Sequence, residues 1–143
     1  MGFLSNVFGE KKDAHPQLDH ESVAGRRIAQ RQAELEGFVR KVKDRIELLP
    51  AQDATYVFIG KPPGSFGVAW LAGGREHSMK TLMQERGLSA ANVQILSDQL
   101  REVYKAHTGA ERYQTQVGGT TVLVTPSEAL AADVRRIIEA IAD

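Results

Sequence analysis

"SVAGRRIAQRQAELEGFVRKVKDRIELLP", residues 22–50, is the stretch on which the fold turns. Ile28, Leu35, Val42 and Leu49 recur every seven residues, and Gln32, Val39 and Ile46 fall at the complementary position. That spacing predicts one long amphipathic helix over 22–49, stopped by Pro50. Ala29 and Phe38 widen its apolar stripe beyond a strict seam. The stripe can pack on a sheet of the same chain or be shared with a second copy. A polar Gln32 inside it is more tolerable between two copies than in a sealed core. Ile28, Gln32, Leu35, Val39 and Val42 are therefore the expected homodimer interface. The remaining face is basic, with Arg26, Arg27, Arg31, Arg40, Lys41, Lys43 and Arg45 outnumbering Glu34, Glu36, Asp44 and Glu47, and is expected to be solvated.

Upstream, residues 1–21 read as a flexible tail and linker, leaving 22–143 as one α+β domain. Residues 9–21 are polar, contain Pro16 and show no periodicity. Before them, Phe3, Leu4, Val7 and Phe8 would share one face of a short helix. Phe3 and Phe8 then form a strap on the domain or a hook for a protein partner or a membrane surface.

Downstream the period changes. Residues 54–59, "ATYVFI", and 66–72, "FGVAWLA", are β-rich and apolar. The linking "GKPPGS" is not a phosphate-binding loop: Lys61 follows the first glycine, two prolines remove amide donors, and a strand follows where a helix is required. It is read as a hairpin connection. Pro63 likewise spoils a nucleophile elbow at Ser65. Residues 73–109 read as two helices, with Ser78 and Ser89 as caps and Gly87 as a stop. Val93, Leu96, Leu100 and Val103 make the second helix's apolar stripe.

In "RYQTQVGGTTVLVT", residues 112–125, the two glycines signal a two-residue hairpin turn. The implied register pairs Val117 with Thr120, Thr115 with Val122 and Tyr113 with Val124 on a buried face. Gln114, Gln116, Thr121, Leu123 and Thr125 fall on the other face, which is expected to be largely wet. Thr125-Pro126-Ser127-Glu128 then reads as a capping box opening a last helix, with Leu130, Val134, Ile137, Ile138 and Ile141 inward. The predicted order is a long helix, then ββ-αα-ββ-α. The expected fold is an α+β domain with a four-stranded antiparallel sheet, covered by helices mainly on one face.

The chain has 143 residues, no cysteine and a formal net charge of zero. Thiol chemistry, disulfides and cysteine-based zinc sites are thereby excluded. Neutral charge argues against a generic nucleic-acid or membrane binder. No apolar run is long enough to cross a bilayer. A cytoplasmic location is expected.

The stretch "TLMQERGLSAANVQIL" resembles the helix-turn-helix of DNA-binding proteins: Leu82 and Met83 on a first helix, Gly87 at the turn, Leu88 just after it, Val93 and Leu96 on a second helix. The resemblance implies a winged-helix regulator with the 113–124 hairpin as its wing. Arg86 takes a position that is normally apolar there. Arg101 is the first base on the would-be recognition helix, Asp98 precedes it, and nucleic acid is not the expected partner.

His15 and His20 lie near Asp13 and Asp19 in the linker, which offers no rigid ligand set, so no metal is expected. His107 reads as a surface residue. No cofactor fingerprint and no catalytic constellation stand out. Elimination points to a non-catalytic protein-interaction or regulatory module that self-associates. A winged-helix DNA binder and a small-molecule-binding domain are the alternatives. For the last, Lys61, Trp70, Arg75 and His77 are the candidate ligand-binding residues.

Overall fold

A computed structural model describes residues 15–142. The long helix is not continuous. It divides into α1 (Val23–Gln30) and α2 (Gln32–Lys41) at Arg31. The chain turns extended at Val42, and residues 46–50 form β1 (Ile46–Pro50). The apolar spacing of 46–49 suits both structures. As a strand it sends Ile46 and Leu48 to one face of a sheet and Glu47 and Leu49 to the other. Partners on both sides decide the matter: β1 pairs antiparallel with β2 (Thr55–Gly60) and parallel with β6 (Thr120–Val124).

Further along are β3 (Phe66–Ala72), β4 (Arg75–Ser78), α3 (Met79–Arg86), α4 (Ala90–Ala106), β5 (Tyr113–Val117) and, after β6, α5 (Glu128–Ala142). The sheet is mixed and six-stranded, in the order β4-β3-β2-β1-β6-β5. The expectation of four antiparallel strands covered mainly on one face is therefore corrected. Strand β1 supplies the parallel pair. Strand β4 arises because Gly73 and Gly74, both at positive φ, make a tight turn after β3.

Helices cover both faces. On one, Ile28, Leu35, Phe38 and Val39 pack over Ile46, Leu48, Val57, Val122 and Val124. On the other, Leu82, Leu96, Leu100, Leu130 and Val134 pack over Leu49, Tyr56, Phe58 and Val68. The heptad stripe is thus largely used within the chain. Leu35 is 0 % exposed. Val42 is half-buried against the same core, and Gln32 donates to Glu36 on its own helix. Phe3 and Phe8 lie outside the described residues.

Two arginines of the supposed outer face turn inward. Arg31 reaches Gln52 O at 3.1 Å and Thr55 Oγ1 at 3.3 Å, while Arg27 pairs with Glu128 at 2.7 Å. Residues 16–18 add to the outer edge of β5: Leu18 N donates to Gln114 O at 2.8 Å, and Gln114 N to Pro16 O at 2.9 Å.

The β5–β6 register is the one read from the sequence, with Thr115 opposite Val122 and Val117 opposite Thr120. Thr115 is buried and Gln116 exposed, but Leu123 and Thr125, expected on the largely wet face, are buried as well. The α5 cap differs: Ser127 Oγ accepts from Leu130 N, which leaves Thr125 free for another task.

Leu35→Glu and Thr115→Lys each put a charge under the α1–α2 layer. Each is expected to destabilise by about 3 kcal/mol or more, whereas Gln116→Lys leaves stability within about 0.5 kcal/mol. Urea unfolding checks this. Leu35→Glu that stays folded, or equal midpoints for Thr115→Lys and Gln116→Lys, would overturn the packing described.

Candidate functional site

The tight Gly73–Gly74 turn folds β4 back on β3 and sets His77 directly opposite Trp70. The rings stack, with centroids 5.6 Å apart and planes 14° from parallel. The cross-strand row runs Leu49, Tyr56, Trp70, His77, all on the face under α3 and α5. Beyond Tyr56 the helix cover thins. A cavity of about 310 Å³ opens there, lined by Trp70 and His77 from the sheet, Thr81 and Leu82 from α3, and Ile138 and Glu139 from α5. Arg75 and Glu85 stand at its border, 3.5 Å apart and both exposed. Such an exposed pair contributes little to stability and is easily rearranged.

Three of the four candidate ligand-binding residues, Trp70, Arg75 and His77, therefore share one cavity. Lys61 does not join them. It leaves the far end of β2 and lines a separate depression with Arg45 and Gln114. The hydroxyls nearest His77 are already engaged in the α3 cap. Thr81 Oγ1 accepts from Ser78 N at 2.8 Å and donates to Ser78 O at 2.9 Å, while Ser78 Oγ accepts from Thr81 N at 3.3 Å.

The hairpin β5–β6 is the margin of the common sheet, and α2 packs beside its tip, where Glu36 approaches Gly118. It does not project as a wing. On α4 the exposed side chains include Asn92, Gln94, Asp98 and Gln99. Arg101 is held by Pro63 O at 2.8 Å and Asp98 at 3.1 Å. No continuous basic stripe forms along residues 89–101. Among the described residues no three His, Cys, Asp or Glu side chains gather as a metal site would require. His107 is not a simple surface residue, since its Nε2 lies 3.0 Å from Asp133 Oδ2 and joins the end of α4 to α5. Arg136 and His107 together hold the Asp133 carboxyl below its ordinary range.

The sequence reading missed Glu47. This carboxylate sits on β1, 3 % exposed, on the face under α4. Thr125 Oγ1 donates to it at 2.6 Å, Tyr104 OH at 2.7 Å and Arg112 Nε at 3.2 Å. The Arg112 guanidinium also lies 5.1 Å from the Tyr104 ring centroid, within cation–π range. None of these four residues lines any of the cavities described here. These bonds engage both carboxylate oxygens of Glu47, while Arg112 Nη2 is buried without a hydrogen-bond partner among the described residues. The cluster's only sequence signal is a lone Glu inside "IELL", which the helical reading hides.

Burial, and then the hydrogen bond to Glu47, push the Tyr104 phenol up to about 12. The folded state keeps this proton while the unfolded chain releases it near pH 10. The stability it contributes is fully present below pH 10 and is lost as pH rises towards 12. Tyr104→Phe is expected to cost about 1–2 kcal/mol at pH 7, because Glu47 loses a donor. It should also flatten the alkaline fall in unfolding free energy. A residual slope remains from Tyr56, raised first by burial, and Tyr113, raised first by its hydrogen bond to Glu111. An unchanged slope in Tyr104→Phe would refute the assignment. Comparison with protein families, with curated proteins and with solved structures returned no match for the chain.

Proposed function

We propose that this chain is a non-catalytic, cytosolic binding module whose ligand site is the cavity beside Trp70 and His77. One observation carries the reading: an aromatic pair on adjacent strands forms the wall of a cavity bordered by charges of both signs. About 310 Å³ is at the lower end of small-molecule sites. It suits a single planar ring system bearing a polar group, with the ring against Trp70 and the polar group towards Arg75. The engaged hydroxyls of Ser78 and Thr81 favour binding over covalent chemistry at this place.

Self-association is the second reading. With most of the heptad stripe buried in the chain's own core, it rests on Met83 and Ile95, which remain 39 % and 48 % exposed on α3 and α4. Sedimentation at micromolar concentration should give a dimer mass that Ile95→Glu shifts to monomer. A clean monomer mass for the wild type ends this reading.

Trp70 is the only tryptophan, so its emission reports on the cavity directly. Titration with adenine, nicotinate and anthranilate, with acetate as the ring-free control, is expected to give saturable quenching by at least one aromatic probe. A Kd of roughly 10 μM to 1 mM is expected for ligands of this size. His77→Ala should weaken that binding about tenfold, the loss of one stacking contact. Emission that no aromatic probe changes, or quenching indifferent to His77→Ala, would refute the site.

A further inference from the structure

The second depression lies at the opposite margin of the sheet, where β6 and β5 run out from under α4 and α5. Glu47 pairs with Leu123, and Leu123 with Gln114, so these side chains share the α4–α5 face; Thr121, two residues before Leu123, shares it too. Near Glu47 that face is closed. Further along it becomes wet, with Gln114 half-buried and Gln116 and Thr121 exposed. The Gly60 amide donates to Arg45 O at 2.8 Å, so Lys61 leaves β2 beside Arg45. Arg45, Lys61, Gln114 and Thr121 line a depression of about 330 Å³, with Leu123 also in its lining.

Its charge is unlike that of its neighbours. The cavity at Trp70 includes Glu85 and Glu139, the one at Tyr56 includes Asp53 and Glu128, and the groove between α4 and α5 includes Asp98 and Glu102. Among the described residues, no acid lines the Arg45 depression. Other arginines are matched with carboxylates, such as Arg27 with Glu128, Arg112 with Glu47 and Arg135 with Glu139. Neither Arg45 nor Lys61 has a carboxylate within 4.0 Å among the described residues. The polar side chains between them can also donate. Thr121 Oγ1 accepts from Gln116 Nε2 and keeps its own proton to give, and the Gln114 side-chain amide carries two N–H groups.

We propose that this depression is a binding site for the phosphate group of a small molecule. Two cations and two neutral donors face a space with no competing acid. That set matches a dianion whose oxygens accept several hydrogen bonds, and charge-assisted bonds of this kind are the strong ones. Leu123, the apolar side chain on this face, leaves room for an apolar remainder of the ligand beside the phosphate. The site is separate from the Trp70 cavity and stands or falls independently of it.

The test is a backbone amide NMR titration of the full chain with inorganic phosphate and pyrophosphate, at ionic strength held constant with chloride. Malonate is the dicarboxylate comparator. Expected are saturable shifts at Arg45, Lys61, Gln114 and Thr121. Arg45→Ala and Lys61→Ala should each weaken phosphate binding about tenfold. Both side chains are exposed, so both variants fold. Trp70→Phe should leave phosphate binding unchanged. Shifts spread evenly over exposed cations such as Lys43 and Lys80 would overturn the site. So would affinities indifferent to the two variants. Tighter binding of malonate than of either phosphate probe would overturn the ligand class.

Discussion

The carboxylate of Glu47 is the constraint around which this molecule is arranged. A charge on a central strand, closed off from water, is tolerable only when its oxygens are occupied by donors. Here the donors come from α4, from the segment after it and from the end of β6. Each has to arrive at the same point. The network therefore fixes how α4 lies over the sheet and where β6 ends, and Thr125 is drawn out of the cap it would otherwise form. Hydrophobic packing supplies the larger part of the stabilisation, but it is non-directional. The polar cluster adds direction, and few misplacements of α4 could satisfy it.

Both candidate sites follow from an imbalance of areas. Six strands make a sheet wider than α3, α4 and α5 can cover. Where cover ends at β4, an aromatic pair is left beside a cavity. Where it ends at β5 and β6, a polar face is left beside two cations. The sheet's edges are themselves guarded: β4 is short and charged, with Glu76 paired to Lys41, and residues 16–18 lie along β5. Such edges resist adding further strands. Recognition is thereby left to the depressions and not to the open backbone.

Much of the local structure was legible in the sequence because its signals are short-range. Gly118-Gly119 dictates a turn and hence a register. Ser78, Gly87 and Ser89 mark helix ends through one or two hydrogen bonds each. The GKPPGS loop announces a hairpin by what it lacks for phosphate. The failures have the opposite character. Ile46–Pro50 carries apolar spacing compatible with helix and strand, and only contacts with β2 and β6 decide between them. Strand β4 has no apolar alternation, although Gly73-Gly74 is the same kind of signal as Gly118-Gly119. Trp70, Arg75 and His77 could be grouped because that turn brings them together. Lys61 lies near them in sequence but is carried to the other end of a strand. Glu47 was invisible, since nothing local tells a buried carboxylate from one on a helix surface.

The pairing of β1 with β6 also bears on how the chain can reach this state. The first strand formed from the N-terminus acquires one neighbour at once, through the short connection to β2. Its other neighbour is one of the last strands in the chain, and a parallel pair between them needs a long loop to be closed. During synthesis, β1 to β4 can assemble as a meander while one side of β1 waits open. Thr125 and Arg112 are still to be made, and the Glu47 carboxylate keeps its water. The sheet becomes whole only when the C-terminal hairpin slots in beside β1. An early nascent chain thus carries β1 as an edge strand bearing a charged, hydrated side chain, a state that resists premature burial of the wrong partner.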